Sequence, residues 1–133
     1  MSTRSMIAFD NGDSIYAIYC HFDGYPSHNG KILLENYDSV EKVEALMDLG
    51  NLSALAPEIG EKHPFNSNDN NWCKAYGRDR GELHQEAGTY STLDEACRDF
   101  GDSDYFYLFD GYGWMVRYGH KGAWTMLTPE HCT

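Results

Sequence analysis

The sequence predicts an α+β fold: an antiparallel-rich sheet of about five to six strands with two to three short helices packed on it, in a single domain over residues 1–133. Three observations carry this. Runs of β-branched and aromatic residues sit at both ends of the chain, the first pair split by Asn11-Gly12. Between them lie two capping boxes, Asp38-Ser39-Val40-Glu41 and Thr92-Leu93-Asp94-Glu95, each opening a segment of helical period. The order is therefore ββ, helices, β, helix, βββ, and it lacks the strand–helix alternation of a doubly wound parallel fold.

Ser5 to Phe9 and Ser14 to Phe22 flank Asp10-Asn11-Gly12-Asp13. An Asn-Gly step supplies the positive φ of a tight turn, so a β-hairpin is expected. Ile15, Ala17, Tyr19 and His21 alternate with Tyr16, Ile18, Cys20 and Phe22, which makes both faces of the second strand largely apolar. Such a strand belongs inside a sheet that is covered on both sides.

Asp23-Gly24-Tyr25-Pro26-Ser27 ends that strand, and a short helix follows from about Ser27 to Tyr37. The helix opened by the first box places Val40, Val43, Leu46 and Met47 on one face, with Gly50 at its C′ position. Asn51 to Ile59 reads as one further turn, and Glu61 to Asn71 as an exposed loop rich in Asn and Asp. Trp72 to Tyr76 reads as a strand and Gly77 to Glu82 as a charged turn.

The second capping box begins a short amphipathic helix with Leu93, Ala96, Cys97 and Phe100 on one stripe, and Gly101 ends it. Tyr105 to Asp110, Trp114 to Tyr118 and Ala123 to Leu127 are the C-terminal strands. Phe109-Asp110-Gly111 and His120 echo Phe9-Asp10-Asn11-Gly12 and His21, an echo that either a duplication or common turn chemistry explains.

The formal charge is −11, with acids outnumbering bases in both halves of the chain. Duplex nucleic acid and anionic membranes both select a basic footprint, so direct binding to either is not expected. An acidic surface is compatible with simple solubility, and also with competition against nucleic acid for a basic protein surface. Cys20, Cys73, Cys97 and Cys132 form no CxxC pair and the N-terminus has no signal-like segment, so reduced thiols and a cytoplasmic location are expected. No cofactor or metal is expected either, because His and Cys are scattered without ligand spacing.

Three segments are candidate sites. His21 and Asp23, with Tyr25, stand where a central strand enters a Gly-containing loop: His21 is a candidate general base oriented by Asp23, or the two are candidate metal ligands with His28. The bland alternative is a satisfied sheet histidine and an aspartate bonded within the turn. Arg78, Asp79, Arg80 and Glu82 lie between glycines, where the arginines either fork onto an anion or pair internally with the two acids. Tyr112 and Trp114 belong to a run of aromatics from Tyr105 to Trp124 that is either a partner surface or a set of core and cross-strand pairs.

Ser2-Thr3-Arg4-Ser5-Met6-Ile7-Ala8, Ile18-Tyr19-Cys20-His21-Phe22-Asp23-Gly24-Tyr25-Pro26 and Tyr76-Gly77-Arg78-Asp79-Arg80-Gly81-Glu82 resemble a family of small uncharacterised proteins of bacteriophages and prophages. The resemblance supplies no catalytic residues. It implies a phage accessory protein that binds and inhibits a host protein, with a nucleic-acid-binding defence complex such as CRISPR as the expected partner class. The alternative function is a small-ligand or nucleotide-binding protein, or hydrolase, in which His21 and Asp23 meet Arg78 and Arg80 in one pocket.

Overall fold

The computed structural model describes residues 2–67 and 71–133. Strands β1 (Ser5–Asp10) and β2 (Ile15–Cys20) form the expected antiparallel hairpin, in register from Ser5 opposite Cys20 to Asp10 opposite Ile15. Its turn is closed by side chains. Asp10 Oδ1 accepts from the Gly12 amide at 2.9 Å, Asn11 Oδ1 accepts from the Asp13 and Ser14 amides at 2.9 Å each, and Gly12 takes φ 96°.

The helix expected from Ser27 begins as a π-helical turn, Pro26–Gly30, and continues as α1 (Lys31–Asn36). Helix α2 (Val40–Leu49) is capped by Ser39, whose side chain accepts from the Lys42 amide at 3.3 Å. Val43, Leu46 and Met47 are buried, whereas Val40 at the first turn stays exposed. Each fully buried aliphatic chain of this size contributes roughly 1.5–3 kcal/mol.

Beyond α2 lie β3 (Leu52–Ala54), β4 (Lys74–Ala75), α3 (Tyr76–Arg80), β5 (Gly88–Tyr90), α4 (Leu93–Asp99), β6 (Tyr105–Phe109), β7 (Trp114–Tyr118) and β8 (Thr125–Met126). A 3-10 turn, Pro129–Cys132, follows. Among the described residues eight strands form one sheet in the order β4-β3-β2-β1-β6-β7-β8, with β5 pairing β2 as well. The α+β class holds, and the sheet exceeds the expected size through strands of two and three residues. Most pairs are antiparallel. The central pair, β1 with β6, is parallel and in register from Ser5 beside Tyr105 to Phe9 beside Phe109.

Both faces of the sheet are covered, as the two-sided apolarity of β2 requires. Ile7, Phe9, Ile18, Tyr107, Phe109 and Trp114 face a core closed by Leu33 of α1 and Val43, Leu46 and Met47 of α2. Met6, Ala8, Ile15, Ala17 and Phe106 face a smaller core closed by Ala96 and Cys97 of α4. The larger core is stitched by polar tips of aromatic residues. Tyr37 donates to the Ala56 carbonyl at 2.8 Å, Tyr107 to the Gly24 carbonyl at 2.6 Å, and Trp114 Nε1 to the Tyr37 carbonyl at 2.8 Å.

Three local expectations change. Residues 52–54 form β3 rather than part of a helical turn, because the outer edge of β2 needs a partner there: the His21 and Phe22 amides donate to the Leu52 and Ser53 carbonyls at 3.0 and 3.1 Å. The strand expected over Trp72–Tyr76 shrinks to β4, with Trp72 in an isolated bridge to Glu58. The charged turn from Gly77 becomes the helical α3, ended by left-handed Gly81. Of the loop expected over 61–71, residues 68–70 lie outside the described residues, and 61–67 are irregular with a turn at Phe65 and Asn66.

The hairpin echo is turn chemistry rather than internal symmetry. Rotating the β1–β2 hairpin onto β6–β7 about an axis between β1 and β6 turns the sheet over, yet Phe9 and Phe109 lie on the same face, with ring centroids 6.0 Å apart. Among the described residues no helix is long and apolar enough to cross a membrane, and all four cysteines are free thiols.

Candidate functional site

Strand β2 delivers His21 and Asp23 to the same loop without joining them. The backbone runs on along β3 through Phe22 and then turns at Asp23, which takes φ 57°. The side chains consequently find separate partners. His21 Nδ1 lies 2.6 Å from the Tyr19 hydroxyl, while Asp23 Oδ1 accepts from the Tyr25 hydroxyl at 3.0 Å. That bond raises the Tyr25 pKa, since the neutral phenol is the donor. His28 Nδ1 meets Asn29 Oδ1 at 2.9 Å. His21 and Asp23 are not hydrogen-bonded to each other, so the candidate acid/base pair is not formed, and among the described residues no group of His, Cys, Asp and Glu is arranged to hold a metal ion.

The second segment resolves toward internal pairing. Arg78 forks onto Asp79, Nε to Oδ1 at 2.9 Å and Nη2 to Oδ2 at 3.1 Å. Its remaining donors reach the Ile59, Gly60 and Cys73 carbonyls at 2.8, 3.3 and 2.9 Å. Asp79 is buried and also accepts from the Ala75 amide at 2.8 Å and the His63 amide at 3.2 Å. Burial alone would raise its pKa, but the Arg78 hydrogen bonds and the two amides outweigh it and hold the carboxyl below its ordinary range. Arg80 pairs with Glu82 and lies over Phe65 and Tyr76, 4.6 and 4.9 Å from their ring centroids. Arg78 therefore staples the 58–63 segment to α3, and its donors are committed to the fold rather than to an anion.

The aromatic run divides. Phe106, Tyr107, Phe109 and Trp114 are core, so Trp114 is a packing residue rather than a surface anchor. Tyr112 stands at the tip of the β6–β7 turn and is 99% exposed.

Tyr112 marks a surface that no single sequence segment contains. Because β1 and β6 are parallel and in register, their turns emerge side by side at one end of the sheet. Asp110 Oδ1 accepts from the Tyr112 and Gly113 amides at 2.8 and 2.9 Å, much as Asp10 does from Gly12. Helix α2 passes over the same end and adds Glu44 and Asp48, and the segment entering β5 adds Glu86. Two concavities of about 420 and 540 Å³ share Phe9, Asn11 and Glu44, forming one groove. The first is floored by Phe9, Tyr16 and Met47; the second runs between the two turns to Tyr112. Among the described residues no Lys or Arg lines either.

Among the described residues no salt bridge involves Asp10, Glu44, Asp48, Glu86 or Asp110. Glu44 and Asp48 stand four apart on α2, a like-charge spacing that costs a few tenths of a kcal/mol. The turn residues were visible in the sequence, but their adjacency depends on pairing strands about a hundred positions apart. None of the concavities at the groove is lined by His21, Asp23, Arg78 or Arg80. Comparison with protein-family models, curated proteins and solved structures finds no match.

Proposed function

We propose that this protein works by binding, docking its electronegative surface on a cationic surface of a host protein and blocking it. The observation that carries this reading is where the charge lies. Acidic residues outnumber basic ones by 21 to 10, and Asp79 is the only buried acid among the described residues, so the excess faces outward. The residues best suited to recognising an anion, Arg78 and Arg80, are instead held in ion pairs. A negative body of this kind accelerates encounter with a basic partner and makes the complex sensitive to salt.

The likeness of the N-terminal, Ile18–Pro26 and Tyr76–Glu82 segments to phage proteins supports a host machine as partner. A nucleic-acid-directed defence complex has the required basic groove, and occupying it would exclude the nucleic acid. Affinity capture from host lysate at low salt tests the reading. A stoichiometric partner that nucleic acid and raised salt both displace is expected; recovery of no stoichiometric partner would refute it.

A further inference from the structure

The geometry points to the turn-end groove as the docking site for a basic segment of the partner protein, with an arginine side chain seated between the α2 carboxylates and the Phe9–Tyr16 floor. This rests on the reading of the protein as a binder of cationic protein surfaces, and it specifies where and through what chemistry.

Charge complementarity selects the occupant. Five carboxylates rim the groove and no basic side chain lines it, although the chain carries ten Lys and Arg in total. Four of the ten pair with acids away from the groove: Arg4 reaches toward Asp102, Lys42 pairs with Asp38, and Arg78 and Arg80 hold α3. Bringing a cation into the groove also relieves the repulsion between Glu44 and Asp48.

The floor distinguishes among cations. Phe9, Tyr16, Met47 and Ala87 give the first concavity apolar patches beneath its acidic rim, beside the polar Asn11 and Thr89. A divalent ion or an ammonium keeps its water shell and gains little from such a floor. A guanidinium is planar and weakly hydrated, stacks on aromatic faces, and forks onto carboxylates with its edge. The rim is also set in advance. The Oδ1 atoms of Asp10 and Asp110 are fixed by backbone amides, which orients both carboxylates before a ligand arrives. Tyr112, with its ring in solvent at the far end of the second concavity, offers a further stacking face to the neighbouring residues of the same segment.

The test measures binding of fluorescein-labelled nona-arginine by anisotropy, at pH 7 in about 50 mM salt where the Debye length still exceeds 10 Å. It compares the intact chain with two triple variants of equal charge change. One removes groove carboxylates, Glu44→Gln, Asp48→Asn and Glu86→Gln; the other removes exposed carboxylates elsewhere, Glu35→Gln, Asp102→Asn and Glu130→Gln. All six side chains are exposed, so circular dichroism should show both variants folded. The groove variant is expected to weaken nona-arginine binding by about tenfold and the control by less than about threefold, with nona-lysine binding the intact chain several-fold more weakly. Equal weakening by both triples, or equal affinity for the two peptides, would overturn the groove while leaving a charge-driven binder intact. Failure of the intact chain to bind nona-arginine at all would overturn both.

Discussion

Replacing Asp79 with Asn removes one charge from the network that joins α3 to the 58–63 segment and leaves the shape unchanged. The carboxylate is inaccessible to solvent and accepts four hydrogen bonds, two from Arg78 and one each from Ala75 and His63. The amide keeps one acceptor oxygen and turns its NH2 toward donors, so at least one buried N–H and the Arg78 charge lose their partner. Breaking a buried ion pair from one side costs about 3–5 kcal/mol. Arg78 retains three carbonyl contacts, which favours the lower end, about 3 kcal/mol. For a chain of this length that is a fall in Tm of roughly 10–15 °C.

Acid narrows the difference. The folded Asp79 pKa lies below its unfolded value, so its stabilisation is present above about pH 4 and is lost as the pH falls through the lower folded value. Urea unfolding followed by circular dichroism at pH 7 and in a series below pH 4 measures both effects. A cost under about 1 kcal/mol at pH 7, or a gap that does not change with acid, would refute the reasoning.

Three further outcomes follow from the same geometry. Trp114→Phe leaves the Tyr37 carbonyl buried without its donor and should cost about 2–3 kcal/mol in denaturant unfolding, against under about 1 kcal/mol for a change at exposed Tyr112. Gly50→Ala should destabilise by more than about 2 kcal/mol and Gly111→Ala by about 1 kcal/mol: both positions have positive φ, but a Cβ at Gly50 would sit 2.1 Å from the Gln85 carbonyl oxygen while that at Gly111 meets nothing. Burial pushes the Cys20 thiol up to about 12 and also raises Cys73, Cys97 and, less enclosed, Cys132, so a thiol reagent at pH 8 should titrate Cys132 slowly in the native protein and all four after unfolding.

Local chemistry was legible in the sequence where it determined local structure. Asn11-Gly12 gave the first hairpin, both capping boxes open helices, Thr92 as the cap of the second and Ser39 rather than the leading Asp38 as the cap of the first, and the two apolar faces of β2 foretold a sheet covered on both sides. Expectations failed where a distant partner decided. Residues 52–54 became a strand because β2 needed an edge partner, and the run from Tyr105 to Trp124 divided, Phe106, Tyr107, Phe109 and Trp114 packing into the two cores while Tyr112 stays at the surface. The candidate sites followed the same division. Arg78 beside Asp79 suggested an ion pair, but its carbonyl acceptors come from residues 5 to 19 positions away. The groove was illegible because it exists only once β1 and β6 are aligned.

If the acidic end of the sheet where the two turns meet is the working part, a cationic peptide binds there and nowhere else. An amide chemical-shift titration with nona-arginine locates binding residue by residue. The largest changes are expected on Gly12, Glu44, Asp48, Thr89 and Tyr112, which line the groove. Changes centred on Tyr19–Tyr25 or Gly77–Glu82, or spread evenly over the acidic surface, would contradict it.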